Sequence, residues 1–375
     1  MGYAGNLADQ QFQQPATSIR ACTLYTYNVG NQRTQVTRTG DNSAAYTYDA
    51  IGEAIGHQAT EVSGGAARMN EQLHYVFDPA GNLQYRTNNT LVENFQVNSV
   101  NELTQNTNGA RVTVMGTATS SNSTTVTVNG TNAFVYGDAT FTATNMQLTT
   151  GYTAIAADSY GRHSTNAVAV SLSTNNTAYQ YDGNGNLTND GTRSFAYDDE
   201  NQLIQVWVTS NWFSQFTYDG KMRRRIRQEY TWQSGAWVQT NEVLYVYDGS
   251  TVIQERNINN LPATTYSRGL DLSSSLQGAG GIGGLLAMTL NLEPGTLTSN
   301  SYYYHSDGNG NVTMLVNQAQ YVVAKYLYDA FGNVLSASGL IAQQNLYRFS
   351  SKEAHITSGL CYYLYRYYGE ATFFL

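Results

Sequence analysis

The 375-residue chain is 41% hydrophobic but only 12% charged, with 30 Tyr, 34 Gly and 4 Pro. That balance suits a turn-rich β-protein and excludes wholesale disorder or a helical bundle. Its formal net charge of -8 argues against general nucleic-acid or anionic-membrane binding.

The chain opens "MGYAGNLADQQFQQP", with neither a basic n-region nor an apolar h-region, so no signal peptide is visible. Cytosolic residence, export by a route needing no such signal, and a piece of a longer protein all stay open. Residues 1–109 are expected to form β-hairpin repeats. They carry the aromatic–Asp pairs Tyr48-Asp49 and Phe77-Asp78, the second continuing through Gly81-Asn82 as "FDPAGNL". Residues 110–175 hold no such pair. Their short alternating strands, "RVTVMGTAT", "TTVTVNGT" and "YTAIAADSYG", predict an inserted Ig-like β-sandwich.

The repeats resume over 176–268, at Tyr181-Asp182 with Gly185-Asn186, then Tyr197-Asp198, Tyr218-Asp219 and Tyr247-Asp248. The last segment, 269–375, contains Asp307 with Gly310-Asn311, and Tyr328-Asp329 with Gly332-Asn333. Flanking residues alternate, as in "LYVYDGSTVI" and "YVVAKYLYDAFGNVL", so each unit reads strand, Asp-x-x-Gly-Asn turn, strand. A lone hairpin is marginal in water, which requires the units to pair edge to edge. The predicted fold is therefore all-β, with antiparallel hairpins in a curled or spiralling sheet and one small inserted sandwich.

Several chemistries are tested by the same residues. The loops from Asp182 and Asp307 resemble calcium loops, but positions 6 and 12 are Leu187 and Arg193 in one, Val312 and Gln318 in the other, where Gly and a closing carboxylate are needed. Leu272–Leu292 is uncharged and carries Gly280-x-x-x-Gly284, yet its serines and crowded glycines argue against a membrane span. Its Gly278-x-Gly280-x-x-Gly283 lacks the later acidic residue of a dinucleotide site. A buried apolar plug or a close approach of backbones fits that stretch better. "KMRRRIR" at Lys221–Arg227 reads as a strand with Arg on alternating faces, with a phosphate contact as the rival reading. His57, His74, His163, His305 and His355 form no metal or catalytic spacing, and no nucleophile elbow or P-loop is present. Cys22 and Cys361 read as isolated thiols, with a single bridge as the alternative. The tyrosines suit cross-strand packing, with stacking on sugar rings as the rival. No enzyme, cofactor or metal is expected.

The Tyr–Asp units, "RGLDLSSSLQGAGGIGGLLA", "YYYHSDGNGNVTMLVNQAQYVVAKYLYDAFGNVLSASG" and "YRFSSKEAHITSGLCYYLYRYYG" together resemble the Rhs/YD-repeat family and its repeat-associated core. The resemblance spans the chain outside the insert. It implies a β-hairpin shell like those of polymorphic and Tc toxins, which enclose a C-terminal toxic polypeptide; related surface proteins serve adhesion and bind carbohydrate. In that family the stretch matched by Gly359–Tyr368 leads into Asp-Pro segments where members cleave themselves using aspartates. This sequence instead reads Gly369-Glu370-Ala-Thr-Phe-Phe-Leu, and Gly2 stands where the first repeat's Asp belongs. It thus resembles a member truncated at both ends. Two functions are expected from these readings: a non-enzymatic scaffold that encloses and delivers a polypeptide partner, secreted or at the cell surface as part of a longer protein; or a surface adhesin holding glycans. Neither involves nucleic acid or a membrane span.

Overall fold

The computed structural model describes residues 23–38, 42–61, 65–118, 124–170, 176–291, 299–369 and 373–374. Cys22, "YAGNL" and Glu370 lie outside them. Among the described residues the regular structure is β-strand, paired antiparallel, apart from one short helical turn at Phe349–Ser351, and the four segments read from the sequence fall into two compact units, Met1–Thr177 and Ala178–Leu375.

In the first unit, eight strands from Thr23–Tyr27 to Leu103–Asn108 pair with their chain neighbours in an antiparallel meander. Residues 111–169 build two smaller sheets. One orders Thr131–Asn132, Thr124–Val128, Gly151–Asp158 and His163–Ala169; the other orders Phe134–Val135, Thr140–Gln147 and Arg111–Thr117. They share a core of Val112, Val126, Val128, Phe141, Ala143, Met146 and Tyr152. Arg68 fastens this pair of sheets to the meander. Its fully buried guanidinium reaches Glu71 at 2.5 Å on its own strand, and Asp138 at 3.0 Å and Thr140 Oγ1 at 2.8 Å across the gap.

The second unit is a 14-stranded antiparallel meander from Gln180–Tyr181 to Val334–Ser338, again in strict chain order. After it comes a small four-stranded sheet, Glu353–His355, Leu360–Tyr362, Tyr367–Gly369 and Phe373–Phe374. The core is rich in tyrosine: Tyr245, Tyr266, Tyr304, Tyr326, Tyr328 and Tyr347 pack with Leu285, Met288, Val312 and Leu315. Tyrosine works there where its hydroxyl finds a partner, as it does at Tyr245, Tyr266, Tyr304, Tyr326 and Tyr328. Tyr326 donates to Ala342 C=O at 2.8 Å, and Tyr304 to Asn345 Oδ1 at 2.9 Å.

Candidate functional site

The repeat turn is built the same way at seven of the eight motif aspartates. In Asp182–Asn186 the Asp182 N–H donates to Asn186 C=O at 2.9 Å, and Gly185 N–H to Asp182 C=O at 3.1 Å. Gly185 takes φ 81°, and the pairing register slips at Gln180/Tyr181. This is a tight turn closed by a left-handed residue and a bulge, the usual three-to-five-residue hairpin solution. The carboxylate fills the turn: Oδ1 accepts Asn184 N–H and Asn186 N–H, each at 2.9 Å, and Oδ2 accepts Asn186 Nδ2 at 2.9 Å. Those bonds, the Asn186 amide first, hold Asp182 below the usual carboxylate range, and Asn82 does the same for Asp78.

Asp49, Asp78, Asp198, Asp219, Asp307 and Asp329 cap their own turns alike. Gly81, Gly310 and Gly332 supply the left-handed position at φ 82°, 76° and 95°. Asn82, Asn311 and Asn333 return an amide to the aspartate, at 3.0, 3.0 and 2.6 Å. Among the described residues no group of His, Cys, Asp or Glu is arranged to hold a metal ion. Each carboxylate in these turns points at its own backbone.

The structure departs at Asp248. The strand Ala236–Asp248 runs through it, and Asp248 pairs with Thr251 around Gly249-Ser250. A two-residue turn has no chain of N–H groups for a carboxylate to span. Conversely, the same turn occurs where no aromatic–Asp pair announces it, at Asn28, Asn98, Asp158, Asn257 and Asn317. Asn accepts through its amide oxygen as Asp does through its carboxylate, so the legible signal was Asx followed four residues later by the returning strand.

The motif tyrosines have a separate task. Tyr48, Tyr197, Tyr218, Tyr247 and Tyr328 donate to the carbonyls of Arg33, Leu187, Leu203, Arg224 and Val312, at 2.7–3.0 Å. Each acceptor is the first residue of the strand after the preceding turn. One edge of each sheet is thereby laced turn to turn. Phe77 lacks the hydroxyl, while Tyr181 lies in the first strand of its sheet, with no earlier turn of that sheet to reach.

The Gly-rich stretch is a compact loop in the second unit. Asp271 accepts the Ser273 hydroxyl at 2.6 Å and backbone N–H from Ser273, Ala279 and Gly281, at 2.9, 2.7 and 3.1 Å; loss of water pushes its carboxyl up, but these bonds, the Ser273 hydroxyl first, hold it down to about 2. Gly283 meets the turn at Gly310 closely: a Cβ on Gly310 would stand 2.7 Å from Gly283 N. Ser351 joins the two, donating to Gly310 C=O at 2.7 Å and accepting from Gly283 N–H at 3.0 Å. Among the described residues no helix is long and apolar enough to cross a membrane.

The main concentration of charge in the second unit is buried beneath the small sheet. Strict alternation fails in "KMRRRIR", because the register slips between Thr217 and Tyr218 and leaves Arg225 as the extra, exposed residue. Arg224 and Arg227 then share the inner face. Arg224 Nη2 lies 2.5 Å from Glu353 Oε2 and 3.0 Å from Tyr245 Oη; Nη1 reaches Tyr367 Oη at 3.2 Å, and its N–H donates to Tyr362 Oη at 2.9 Å. Arg227 stands 3.6 Å from the other Glu353 oxygen, to which Tyr245 donates at 2.8 Å. Burial pushes Glu353 up, but Arg224 and then Arg227 hold it below the usual range. Glu255, bonded by Tyr266 Oη at 2.8 Å, has no such guanidinium contact, and burial with the Glu353 charge pushes it up to about 7. His355 completes the cluster: Nε2 is 2.8 Å from Glu229 Oε1 and Nδ1 is 2.6 Å from Ser358 Oγ. Burial keeps the imidazole below its ordinary value although Glu229 opposes this. With the carboxylate on Nε2, Nδ1 accepts from Ser358. The order Ser–His–Glu has the outline of a hydrolytic triad, but His355 and Ser358 are 1% and 5% exposed. Sequence spacing could not show this cluster, since bonded members such as Arg224 and Tyr367 lie 143 residues apart. His57, His74, His163 and His305 are not among its members, and Cys361 is buried.

No family model matches the chain. Over 199 residues, 52% of its length, the chain is 29% identical to the tRNA3(Ser)-specific nuclease WapA of Bacillus spizizenii and 27% identical to the tRNA nuclease WapA of Bacillus subtilis. It spans 7% of the length of each of these relatives. Among solved structures it is similar to a chain of the Photorhabdus luminescens Tc holotoxin pore, with 15% identity and TM-score 0.41 over 94% of this chain and 18% of that one. It is also similar to a chain of the TcdB2-TccC3-Cdc42 complex, with 15% identity and TM-score 0.40 over 95% and 18%. By sequence, then, about half of this all-β chain is similar to a small part of the WapA proteins.

Proposed function

We propose that the chain is a non-enzymatic scaffold, a stretch of Rhs-type β-wall that helps enclose and deliver a polypeptide partner, in a secreted or surface-exposed parent protein. The observation that carries this reading is the lacing of turns. Asx caps and tyrosine hydroxyls join hairpin to hairpin along one edge, which is the construction a long continuous wall needs. The partial likeness to WapA supports it. Those relatives are named as nucleases, but this chain matches only 7% of each. Its basic run also turns Arg224 and Arg227 inward, away from any phosphate.

The test is protease protection together with a nuclease assay. A polypeptide of about 100 residues without stable structure, joined after Leu375, should resist trypsin under native conditions and be digested when expressed alone. The same preparation should leave total tRNA intact. Rapid digestion of the joined polypeptide, or tRNA cleavage lost on mutating residues of this chain, would overturn the reading.

A further inference from the structure

The two small sheets built by residues 111–169 are unequal. One has four strands and ends at His163–Ala169; the other has three and ends at Arg111–Thr117. Between these end strands lies a cleft of about 580 Å³, which the two sheets border differently. From the end of the four-stranded sheet alternate residues line it, in directly opposed pairs: Tyr152 with Val168, Ala154 with Asn166, and Ala156 with Ser164. That is the inner face of a sheet. From Arg111–Thr117 and the residue after it, every position from Val112 to Ala118 lines it. That is the edge of a strand.

This edge has no partner strand among the described residues. Ala118 N–H donates to Ala139 C=O and Leu148 N–H to Ala110 C=O, both on the side of the neighbouring strand Thr140–Gln147. Backbone groups alternate in direction along a ladder, so the N–H and C=O of Thr113, Met115 and Thr117 turn the other way. Sheets commonly guard such an edge with charge, Pro or a bulge. "VTVMGT" at 112–117 has neither charge nor Pro, and the register irregularity falls in its neighbour, between Ala143 and Met146. The facing strand is equally uncovered: His163–Ala169 is exposed at every residue, Val168 by 55%. Charge at the cleft gathers at one end, where Arg162 Nε donates to Asp158 at 2.6 Å beside His163.

We infer that this cleft takes one extended segment of another polypeptide, which adds as a fourth strand beside Arg111–Thr117. The free edge gives ladder hydrogen bonds, and the floor of the cleft selects side chains. Val112 to Ala118 offers roughly 23 Å of strand, an ordinary strand length. Ala154, Ala156 and Ser164 are small, which leaves depth for bulky side chains at alternate positions of the incoming segment. The six floor residues carry no charge, so those side chains are apolar. A helix does not fit this edge, because its own backbone groups are already bonded to one another.

The intact protein is titrated with fluorescein-labelled peptides in which Thr alternates with Val, Ile or Phe between terminal lysines, and fluorescence anisotropy is recorded. At least one peptide is expected to bind saturably, with a dissociation constant below about 100 μM. The same peptide N-methylated along its centre keeps its side chains but loses ladder donors, and should not bind. Val168→Lys sets a charge on the floor at a residue already more than half exposed. It should weaken binding at least ~10-fold with unchanged thermal unfolding. Ala167→Lys, on the opposite face of the same strand, should leave binding unchanged. Failure of every peptide to bind, equal binding of the N-methylated form, equal binding by Val168→Lys, or self-association of the protein that the peptides displace would each overturn the inference.

Discussion

At the scale of single residues, the aspartates of the repeat act as caps. Asp182 satisfies two backbone N–H groups and one side-chain amide. Asp182→Ala should therefore cost about 1–2 kcal/mol in urea unfolding. Asp248→Ala, at a position of the same sequence type without a turn to cap, should change stability by less than ~0.5 kcal/mol. Equal costs would mean that the capping bonds contribute nothing. The role of Asp and Gly here was legible because it is local, set by neighbours within four residues. Asn28, Asn98, Asn257 and Asn317 lack the aspartate by which the repeat is recognised, although their amide oxygens cap the same local turn. The destination of the tyrosine hydroxyls was not legible, since they cross to another hairpin.

Among elements, the small sheet from Glu353 to Gly369 is pinned to the large one by ionic groups out of reach of water. Arg224→Met leaves Glu353 with a weaker partner and should cost about 3–5 kcal/mol, whereas Arg224→Met with Glu353→Leu should recover much of that loss. A double variant as unstable as the single one would contradict this pairing. Glu255 gives the same cluster a pH dependence. Its folded carboxyl is raised to about 7 by burial, then by Glu353, with Arg227 opposing. The folded chain thus keeps a proton that the unfolded chain releases above its ordinary value near 4.5. The stabilisation is complete below that pH and is lost as pH rises through about 7. Glu353 and Glu229, both lowered, act in the opposite sense as pH falls. Glu255→Gln isolates the first effect: between pH 5 and 8 it should gain roughly 1–3 kcal/mol relative to the unaltered chain, and parallel pH profiles would rule the effect out. Strand positions followed from alternation. The ionic cluster did not, because Arg224 and Glu353 meet only through the fold, and the bulge at Arg225 reverses the faces that simple alternation assigns.

For the whole molecule, the central claim is that hairpins laced along one edge, with the small sheet fixed beneath them, act as one cooperative wall in the second unit. The all-β class was readable from composition and turn chemistry. The burial of charge within a chain so poor in charged residues was not, because it depends on contacts more than 100 residues apart, such as Arg224 with Glu353. Native-state amide hydrogen exchange, followed by mass spectrometry, measures the claim directly. Strands 203–268 and the segment 353–369 should exchange together, at the rate of global unfolding, and Arg224→Met should accelerate both. If 353–369 exchanged early while 203–268 stayed protected, the small sheet would be a loose appendage and the account of a single fastened wall would be contradicted.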